Sequence, residues 1–346
     1  MKQKILVTGG TGFIGSHTTV ELIEAGYEVV IVDNLSNSNA DVVDGIEKIT
    51  GVRPAFEKVD CTDAAALEGV FKKYSGIQGI IHFAASKAVG ESVEKPLLYY
   101  RNNLNSLMNL LELMPQYGVK GIIFSSSCTV YGQPDPENLP VTENAPIKKA
   151  ESPYGNTKQV CEEIVNDYIV SGAPINAILL RYFNPIGAHP TAIIGELPNG
   201  VPANLIPYLT QTAIGIRQQL SVFGDDYNTP DGSCIRDFIY VVDLAKAHVA
   251  AMAHILQGKM EKPVDVFNVG TGKGNSVLEL IHTFEECTGV KLNYKIVGRR
   301  AGDIEQVWGN VDKANRVLGW KAEHTLADSL SSAWKWQQEL RKRGIM

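Results

Sequence analysis

The sequence predicts an α/β protein with a doubly wound, mostly parallel sheet and a smaller mixed α/β lobe. Three observations support this. Up to residue 182, short apolar runs typical of buried strands alternate with longer segments of helical spacing. The turn Gly9-Gly-Thr-Gly-Phe-Ile-Gly15 joins the first apolar run directly to the first helical segment. Beyond Asn184 repeated prolines interrupt the alternation, which indicates a second, irregular part of the chain.

The elements follow in order from these patterns. Predicted strands cover residues 4–8, 28–33, 54–59, 79–84, 121–126 and 176–182. Predicted helices between them cover residues 13–25, 63–73, 96–117 and 153–171, and later ones cover 205–217, 243–256, 276–287 and 325–342. Segments near 234–250 and 265–270 are expected to return to the first sheet. We therefore assign 1–184 to one domain and 185–346 mainly to the smaller lobe.

The first strand, turn and helix predict a dinucleotide site on a Rossmann sheet. Gly9 allows the tight turn, Gly12 lets the backbone approach a pyrophosphate, and Gly15 lets the helix lie close to the strand. The second strand ends in Asp33, about twenty residues further on. Its carboxylate can accept both ribose hydroxyls and would repel a 2′-phosphate, which favours NAD over NADP. A purely structural glycine turn is the alternative.

Tyr154 and Lys158 are the candidate reactive pair. They are four residues apart on a predicted helix, so they lie on one face. A neighbouring ammonium favours the phenolate, and Pro153 suits a first turn, near the positive end of the helix dipole. We therefore expect a lowered pKa for Tyr154 and a role as base beside a nicotinamide. The alternative is a surface tyrosine next to an exposed lysine.

Ligands of such sheets bind beyond the carboxyl ends of the strands, so residues at or after the strand ends are candidates for a pocket. These are Asp33, Asn34, Asn37, Asp60, Cys61, Phe83, Ala84, Lys87, the run 125–129, Tyr182 and Asn184. Asp60 is either an acceptor for an adenine amino group or a helix N-cap. Asn102, inside a predicted helix, either makes a buried hydrogen bond or faces solvent. Ser127 either shares a proton with Tyr154 or belongs to a polar loop.

Composition excludes several functional classes. A net charge of −6 argues against nucleic acid and anionic membranes as partners. Five scattered cysteines without a Cys-x-x-Cys motif indicate reduced thiols and a cytoplasmic protein. The seven histidines show no metal-ligand spacing, so we expect no metal. Neither a signal peptide nor an apolar run of about 18 residues is evident.

The glycine spacing, together with Tyr154 and Lys158, resembles the extended short-chain dehydrogenase/reductase family. Further blocks, between about residue 3 and residue 340, resemble the UDP-hexose 4-epimerases within that family. These blocks are TGGTGFIGS at 8–16, KAVGES at 87–92, FSSSCTVYG at 124–132, RYFN at 181–184, VFGDDY at 222–227, RDFIYVVD at 236–243 and RRAGD at 299–303.

The resemblance implies reversible C4 epimerisation of UDP-glucose and UDP-galactose with tightly bound NAD. It assigns catalysis to Tyr154, Lys158 and Ser127. The implied cofactor contacts include Phe13, Ile14, Lys87, Asn102 and Tyr182, besides the residues at the strand ends. The implied substrate contacts are Ser127, Asn184, Asn204, Leu205, Ser221, Val222, Phe223, Arg236, Arg300 and Asp303.

The resemblance also bears on specificity and assembly. The residue four after Asp303 would stand over the sugar's C2 substituent, and here it is Val307. A small residue there implies that UDP-GlcNAc and UDP-GalNAc also fit, although Val307 could simply pack a short strand. The family is usually dimeric, so we expect a homodimer formed by the helices at 96–117 and 153–171. Four leucines of the first of these helices could face either the core or the interface. They are Leu97, Leu104, Leu107 and Leu111.

Three alternative functions have different residue requirements. A sugar-nucleotide 4,6-dehydratase would need an Asp-Glu pair where this chain has Cys128 and Thr129. An epimerase of another UDP-sugar, a uronate or a pentose, would use the same machinery. A uronate would also need a further cation near the sugar, which the matched blocks do not offer. A non-catalytic NAD-sensing protein would not need both Tyr154 and Lys158, and this chain retains both.

Overall fold

The computed structural model describes residues 2–300 and 303–345 and contains a seven-stranded parallel sheet. The strands are β1 Lys4–Thr8, β2 Glu28–Val32, β3 Ala55–Glu57, β4 Ile77–His82, β5 Gly121–Ser125, β6 Asn176–Tyr182, β7 Asn184–Ile186, β8 Leu220–Phe223, β9 Ile235–Arg236, β10 Phe238–Tyr240, β11 Val264–Val269, β12 Asn275–Ser276, β13 Tyr294–Val297 and β14 Gln306–Val307. The large sheet has the order β11-β6-β5-β4-β1-β2-β3, which confirms the predicted fold class.

Eleven α-helices lie in the described part of the chain. They are α1 Phe13–Glu24, α2 Asp41–Thr50, α3 Ala64–Lys73, α4 Val89–Glu94, α5 Pro96–Gln116, α6 Pro153–Val170, α7 Leu205–Ala213, α8 Val241–Leu256, α9 Val277–Thr288, α10 Asp312–Val317 and α11 Leu326–Lys342. Helices α2, α4 and α10 were not predicted from the sequence. Two of these are only six residues long, too short for helical periodicity to be visible.

Helices cover both faces of the large sheet, and the apolar side chains of β1 pack against helices on each face. Ile5 and Val7 belong to one buried cluster with residues of α1, α2 and α8. Leu6, between them, belongs to a second cluster with residues of α3, α5 and α6. Successive side chains of a strand point to opposite faces, so an uninterrupted apolar run is what a doubly covered strand requires.

The site is positioned by the strand order. β1 lies between β2 and β4, so the chain proceeds in one direction from β1 to β3 and in the other from β4 to β6. A crevice opens beyond the carboxyl ends of the strands where the order reverses. β1 leads into the glycine turn at this point, and β4 and β5 lead into the segments at 83–87 and 125–129.

The second half of the chain forms smaller sheets around a third buried cluster. β7 pairs with β10, β8 with β13, and β9 lies between β12 and β14. The cluster takes residues from α7, α9 and α11. In the segment 264–269, β11 pairs in parallel with β6, whereas within 234–250 the helix α8 packs against α1. The division at residue 184 stays a prediction.

Candidate active site

The start of α6 places the candidate reactive pair. The Ser152 hydroxyl accepts a hydrogen bond from Gly155 N at 3.1 Å, and Pro153 occupies the first turn. Tyr154 therefore lies in that turn, and Lys158 follows one turn later. Lys158 is buried, and its Nζ donates to the carbonyl oxygen of Ser125 at 2.6 Å. The same Nζ lies 5.8 Å from the centroid of the Tyr154 ring, so the two side chains share one face.

Burial dominates the titration of both groups. It lowers the pKa of Lys158 from its usual value near 10.5 to about 8. It also raises the pKa of Tyr154 above its ordinary value, and the nearby Tyr182 phenol contributes in the same direction. The expectation of a lowered Tyr154 pKa is therefore wrong for this structure. The cost of burying a phenolate away from water determines the direction of this shift.

Ser127 completes the group at the end of β5. It caps the 3-10 helix Cys128–Tyr131, and its Oγ accepts a hydrogen bond from Thr129 N at 3.2 Å. Hydrogen bonding by this hydroxyl opposes the rise in the Tyr154 pKa, which places it beside the phenol. The hydroxyl of Ser125 meets that of Tyr182. The structure thus brings Ser127, Tyr154, Lys158 and Tyr182 together.

The glycine turn has the shape that a diphosphate needs. Gly9 has φ +70°, and a Cβ there would lie 2.8 Å from Ala84 N. A Cβ on Gly15 would lie 2.2 Å from the Gly9 carbonyl oxygen, so α1 must approach the turn very closely. Gly12, which has no side chain, is the N-cap residue of α1. The first-turn N–H groups of α1 can therefore bind an anion, and the turn fits NAD.

Two carboxylates follow β2 and β3, the strands on one side of β1. Asp33 is 8% exposed and accepts hydrogen bonds from Leu35 N at 2.9 Å and from Thr11 N at 3.2 Å. Asp60 accepts from Thr62 N at 2.8 Å and from the Asn34 amide at 3.0 Å. The N-cap of α3 is Asp63 and not Asp60, so the capping alternative for Asp60 does not hold. Both carboxylates are fixed at the ends of β2 and β3.

The segment after β4 is held by an asparagine that was not among the predicted site residues. Asn103, 3% exposed, accepts from Ser86 N at 2.8 Å and donates to Thr157 Oγ1 at 3.0 Å. The predicted Asn102 is half-buried and donates to Ser86 Oγ at 3.1 Å. Asparagine is mildly unfavourable inside a helix. Two consecutive asparagines at such a position were therefore the feature of the sequence that could have pointed to Asn103.

The remaining predicted cofactor residues differ in accessibility. Phe13, Ile14, Phe83 and Ala84 are half-buried, Cys61 is buried, and Asn37 and Lys87 are exposed. Phe83 packs on His248 with ring centroids 4.7 Å apart. Lys87 Nζ lies 3.5 Å from the Glu196 carboxylate, which also accepts from Asn204 Nδ2 at 2.6 Å. Glu196 thus joins a predicted cofactor residue to a predicted substrate residue.

Three predicted substrate residues form one cluster. The Arg300 guanidinium lies 5.2 Å from the ring centroid of Phe223, which is exposed. It also donates to Asp303 Oδ1 at 2.7 Å. A planar cation, a planar ring and a carboxylate acceptor are the groups that a nucleoside diphosphate requires.

The remaining predicted substrate residues within helices and strands lie on β7, β8, β9, β14 and α7. Arg236 pairs in register with Val307, whose side chain is 1% exposed and packs in a cluster with Cys128 and Phe183. The buried Asn184 Oδ1 has no hydrogen-bond partner among the described residues, so it is available to a ligand. Ser221 and Leu205 are half-buried. Val222 points into the core, so only its backbone can face a ligand.

No helix within residues 2–300 and 303–345 is long and apolar enough to cross a membrane. The same residues contain no group of three or more His, Cys, Asp or Glu side chains that could hold a metal ion.

The sequence profile of the NAD dependent epimerase/dehydratase family matches residues 5–270. The chain belongs to this family. A UDP-glucose 4-epimerase of Dictyostelium discoideum is 50% identical over 335 residues, 97% of this chain and 96% of that protein. One of Bacillus subtilis is 49% identical over 333 residues, 96% of each.

Solved structures agree. The UDP-glucose 4-epimerase of Bifidobacterium longum, determined in complex with NAD+ and UDP, superposes with a TM-score of 0.93 at 47% identity. The match covers 97% of this chain and 98% of the other.

The family name covers two reactions, epimerisation and dehydration, and Cys128 bears on the choice between them. Burial raises the pKa of the Cys128 thiol to about 12, so it neither donates nor accepts a proton readily near neutrality. Thr129, beside it, is a hydroxyl without acid strength. The position where a dehydratase of the NAD dependent epimerase/dehydratase family would need carboxylates thus offers no general acid.

Proposed function

We propose that this protein interconverts UDP-glucose and UDP-galactose by reversible epimerisation at C4, with NAD held tightly. The observation that carries the proposal is the meeting of Tyr154, Lys158 and Ser127 at the end of β5, next to the glycine turn. Relatives with about half of their residues identical to this chain are UDP-glucose 4-epimerases. One of the similar structures binds NAD+ and UDP.

The three residues take different roles in this proposal. Tyr154 takes the proton of the sugar 4-hydroxyl, Ser127 shares it, and Lys158 holds the nicotinamide ribose. When bound, NAD supplies a reversible acceptor for the C4 hydride and a positive charge that favours the buried phenolate. The 4-keto sugar turns over within the pocket and so presents its other face. Net redox is zero, and we therefore expect NAD to copurify with the protein.

The nucleotide contacts come from the second half of the chain. Arg300 and Arg236 neutralise the diphosphate, because guanidinium groups form bidentate contacts with phosphate. Phe223 stacks on the uracil, and Asp303 accepts a ribose hydroxyl. Arg300 is paired with Asp303 at 2.7 Å and is 57% exposed, so it can turn toward a phosphate. A tight hold on UDP and a loose one on the hexose allow the keto sugar to turn.

We also propose that the N-acetylated pair, UDP-GlcNAc and UDP-GalNAc, is interconverted. Val307 supports this because it has no ring to fill the space above C2 of the sugar. Its side chain is buried with Cys128 and Phe183, so the same residue also packs its strand. Apolar contacts discriminate by only a few kcal/mol, whereas a steric clash excludes a ligand outright.

We infer a cytoplasmic homodimer whose partners are UDP-sugars, without nucleic acid or membrane. All five cysteines are free thiols, which suits a reducing compartment. Helices α5 and α6 pack side by side. In α5 Leu107 and Leu111 serve the core, Leu104 is half-buried, and Leu97 is 65% exposed and available to a partner copy. Sedimentation at micromolar concentration tests the dimer, and Leu97→Glu should weaken it.

Purified protein incubated with UDP-galactose tests the activity. We expect UDP-glucose to form without added NAD+ and without net NADH. Stoichiometric release of NADH would instead identify a dehydrogenase. Tyr154→Phe is the matched variant, because it removes one oxygen and keeps the ring. We expect it to lose kcat by a factor on the order of 100 or more while UDP and NAD still bind. Unchanged turnover in Tyr154→Phe would contradict the mechanism.

A further inference from the structure

A buried ion pair lies directly behind the reactive groups. Arg181 on β6 donates from Nη2 to Glu162 Oε2 at 2.6 Å and from Nε to Oε1 at 2.9 Å. The two side chains are only 7% and 11% exposed. Removing two charges from water is costly, and apolar residues in their place are often equally stable. The pair therefore calls for an explanation other than stability, and neither residue has a role in the proposed chemistry.

Glu162 connects this pair to the segment that carries Ser127. It follows Lys158 by one turn of α6, on the same face. Its Oε1 accepts a hydrogen bond from the hydroxyl of Ser126, which is fully buried. Ser126 stands between Ser125, whose carbonyl holds Lys158, and Ser127, which faces Tyr154. A carboxylate thus fixes the middle residue of the serine run.

Arg181 holds the other end of the same segment. Its Nη1 donates to the Tyr131 hydroxyl at 3.2 Å, and its guanidinium lies 4.9 Å from that ring. Tyr131 ends the 3-10 helix that begins beside Ser127, and its hydroxyl donates to Asn268 Oδ1 on β11 at 2.6 Å. The segment 126–131 is therefore attached to the ion pair at its first and last residues.

We propose that Glu162 and Arg181 are positioning residues: their ion pair fixes the segment 126–131 and so sets the distance from Ser127 to Tyr154 and Lys158. The proposal rests on the proposed epimerase function. Ser127 lies on a loop, and a loop residue keeps a reactive geometry only when surrounding groups lock it. A displacement of about 1 Å at a reactive group can reduce a rate by about 100-fold.

Ser126→Ala tests the connection while it leaves the ion pair in place. We expect kcat for UDP-galactose to fall by about tenfold, with KM and the affinity for UDP within about twofold of the natural protein. Glu162→Gln removes the charge and weakens the same connection, and we expect the same pattern. Calorimetric titration with UDP and the thermal unfolding midpoint are measured for every variant.

Asp265→Asn is the matched control. Asp265 pairs with Lys313 at 2.7 Å, is 16% exposed, and lies in the amino-terminal half of β11, away from the carboxyl ends of the strands. We expect it to lower the unfolding midpoint and to leave kcat unchanged. A loss of stability alone therefore does not imitate the expected result.

The double variant Ser126→Ala with Glu162→Gln decides whether both residues act through one connection. If both residues act through one connection, the kcat of the double variant is close to that of the less active single variant, because the second substitution removes an interaction that is already lost. Multiplying losses, or a Ser126→Ala protein with unchanged kcat, would overturn the proposal. If the natural protein itself fails to epimerise UDP-galactose, the proposed function fails, which is a distinct outcome.

Discussion

Replacing Gly15 by alanine tests whether α1 must lie against the glycine turn for the nucleotide to stay bound. The added Cβ would stand 2.2 Å from the Gly9 carbonyl oxygen and 2.9 Å from Gly10 Cα. Both are backbone atoms, so no side-chain rotation relieves the contact. Ordinary carbon contacts begin near 3.4 Å, so helix and turn must separate by about 1 Å.

The magnitude follows from two opposing effects. Overpacking of this kind costs about 1–3 kcal/mol, and alanine regains about 1 kcal/mol of helix propensity. We expect the free energy of unfolding to fall by about 1 kcal/mol, and copurified NAD to fall much further because the diphosphate site is distorted. Gly69, exposed within α3, is the matched control, since an added Cβ there meets no atom within 4 Å. Gly69→Ala should gain about 0.5–1 kcal/mol.

Urea unfolding gives the stability of both variants, and the nucleotide released on denaturation gives the NAD content. We expect Gly69→Ala to keep its NAD and to unfold at higher urea. A Gly15→Ala protein that retains a full complement of NAD and unfolds like the natural protein would refute the reasoning. It would show that the turn yields without cost.

Three further predictions concern specificity, nucleotide binding and pH. Val307→Tyr should lower kcat/KM for UDP-GalNAc by a factor on the order of 100 and leave kcat/KM for UDP-galactose nearly unchanged. Negligible turnover of UDP-GalNAc by the natural protein would mean that another residue closes the pocket. Phe223→Ala should raise KM for UDP-galactose about tenfold at similar kcat. Ile296→Ala is the control: it removes an exposed side chain from the adjacent strand β13 and should leave KM unchanged. Equal effects of the two substitutions would contradict the stacking role of Phe223. Burial lowers the pKa of His248 from 6.5 to about 4, so between these values the unfolded chain binds more protons and stability falls as pH falls. His248→Gln should therefore reduce the slope of unfolding free energy against pH in this window by up to about 1.4 kcal/mol per pH unit. Urea unfolding at several pH values measures the slope. An unchanged slope would show that His248 does not titrate in this way.

The sequence by itself determined the parts of the site that depend on local geometry. The glycine turn, its strand and its helix are consecutive, so spacing and residue type suffice to predict them. Tyr154 and Lys158 share a face because they are four apart on one helix, and their place at its start follows from Ser152 and Pro153. The strands β1, β2, β5 and β6 were predicted to within one residue at each end, because each is an apolar run bounded by polar or turn residues.

Only the tertiary structure decided how distant segments support that site. The hydrogen bond from Ser126 to Glu162 joins residues 36 positions apart, and the one from Tyr131 to Asn268 joins residues 137 apart. The pKa of Tyr154 likewise depends on burial among several elements, and for this reason its predicted direction was wrong. A local pattern records which residues can touch along one helix or strand. Solvent exclusion and long-range hydrogen bonds arise from how the elements pack, so a single sequence does not contain them in readable form.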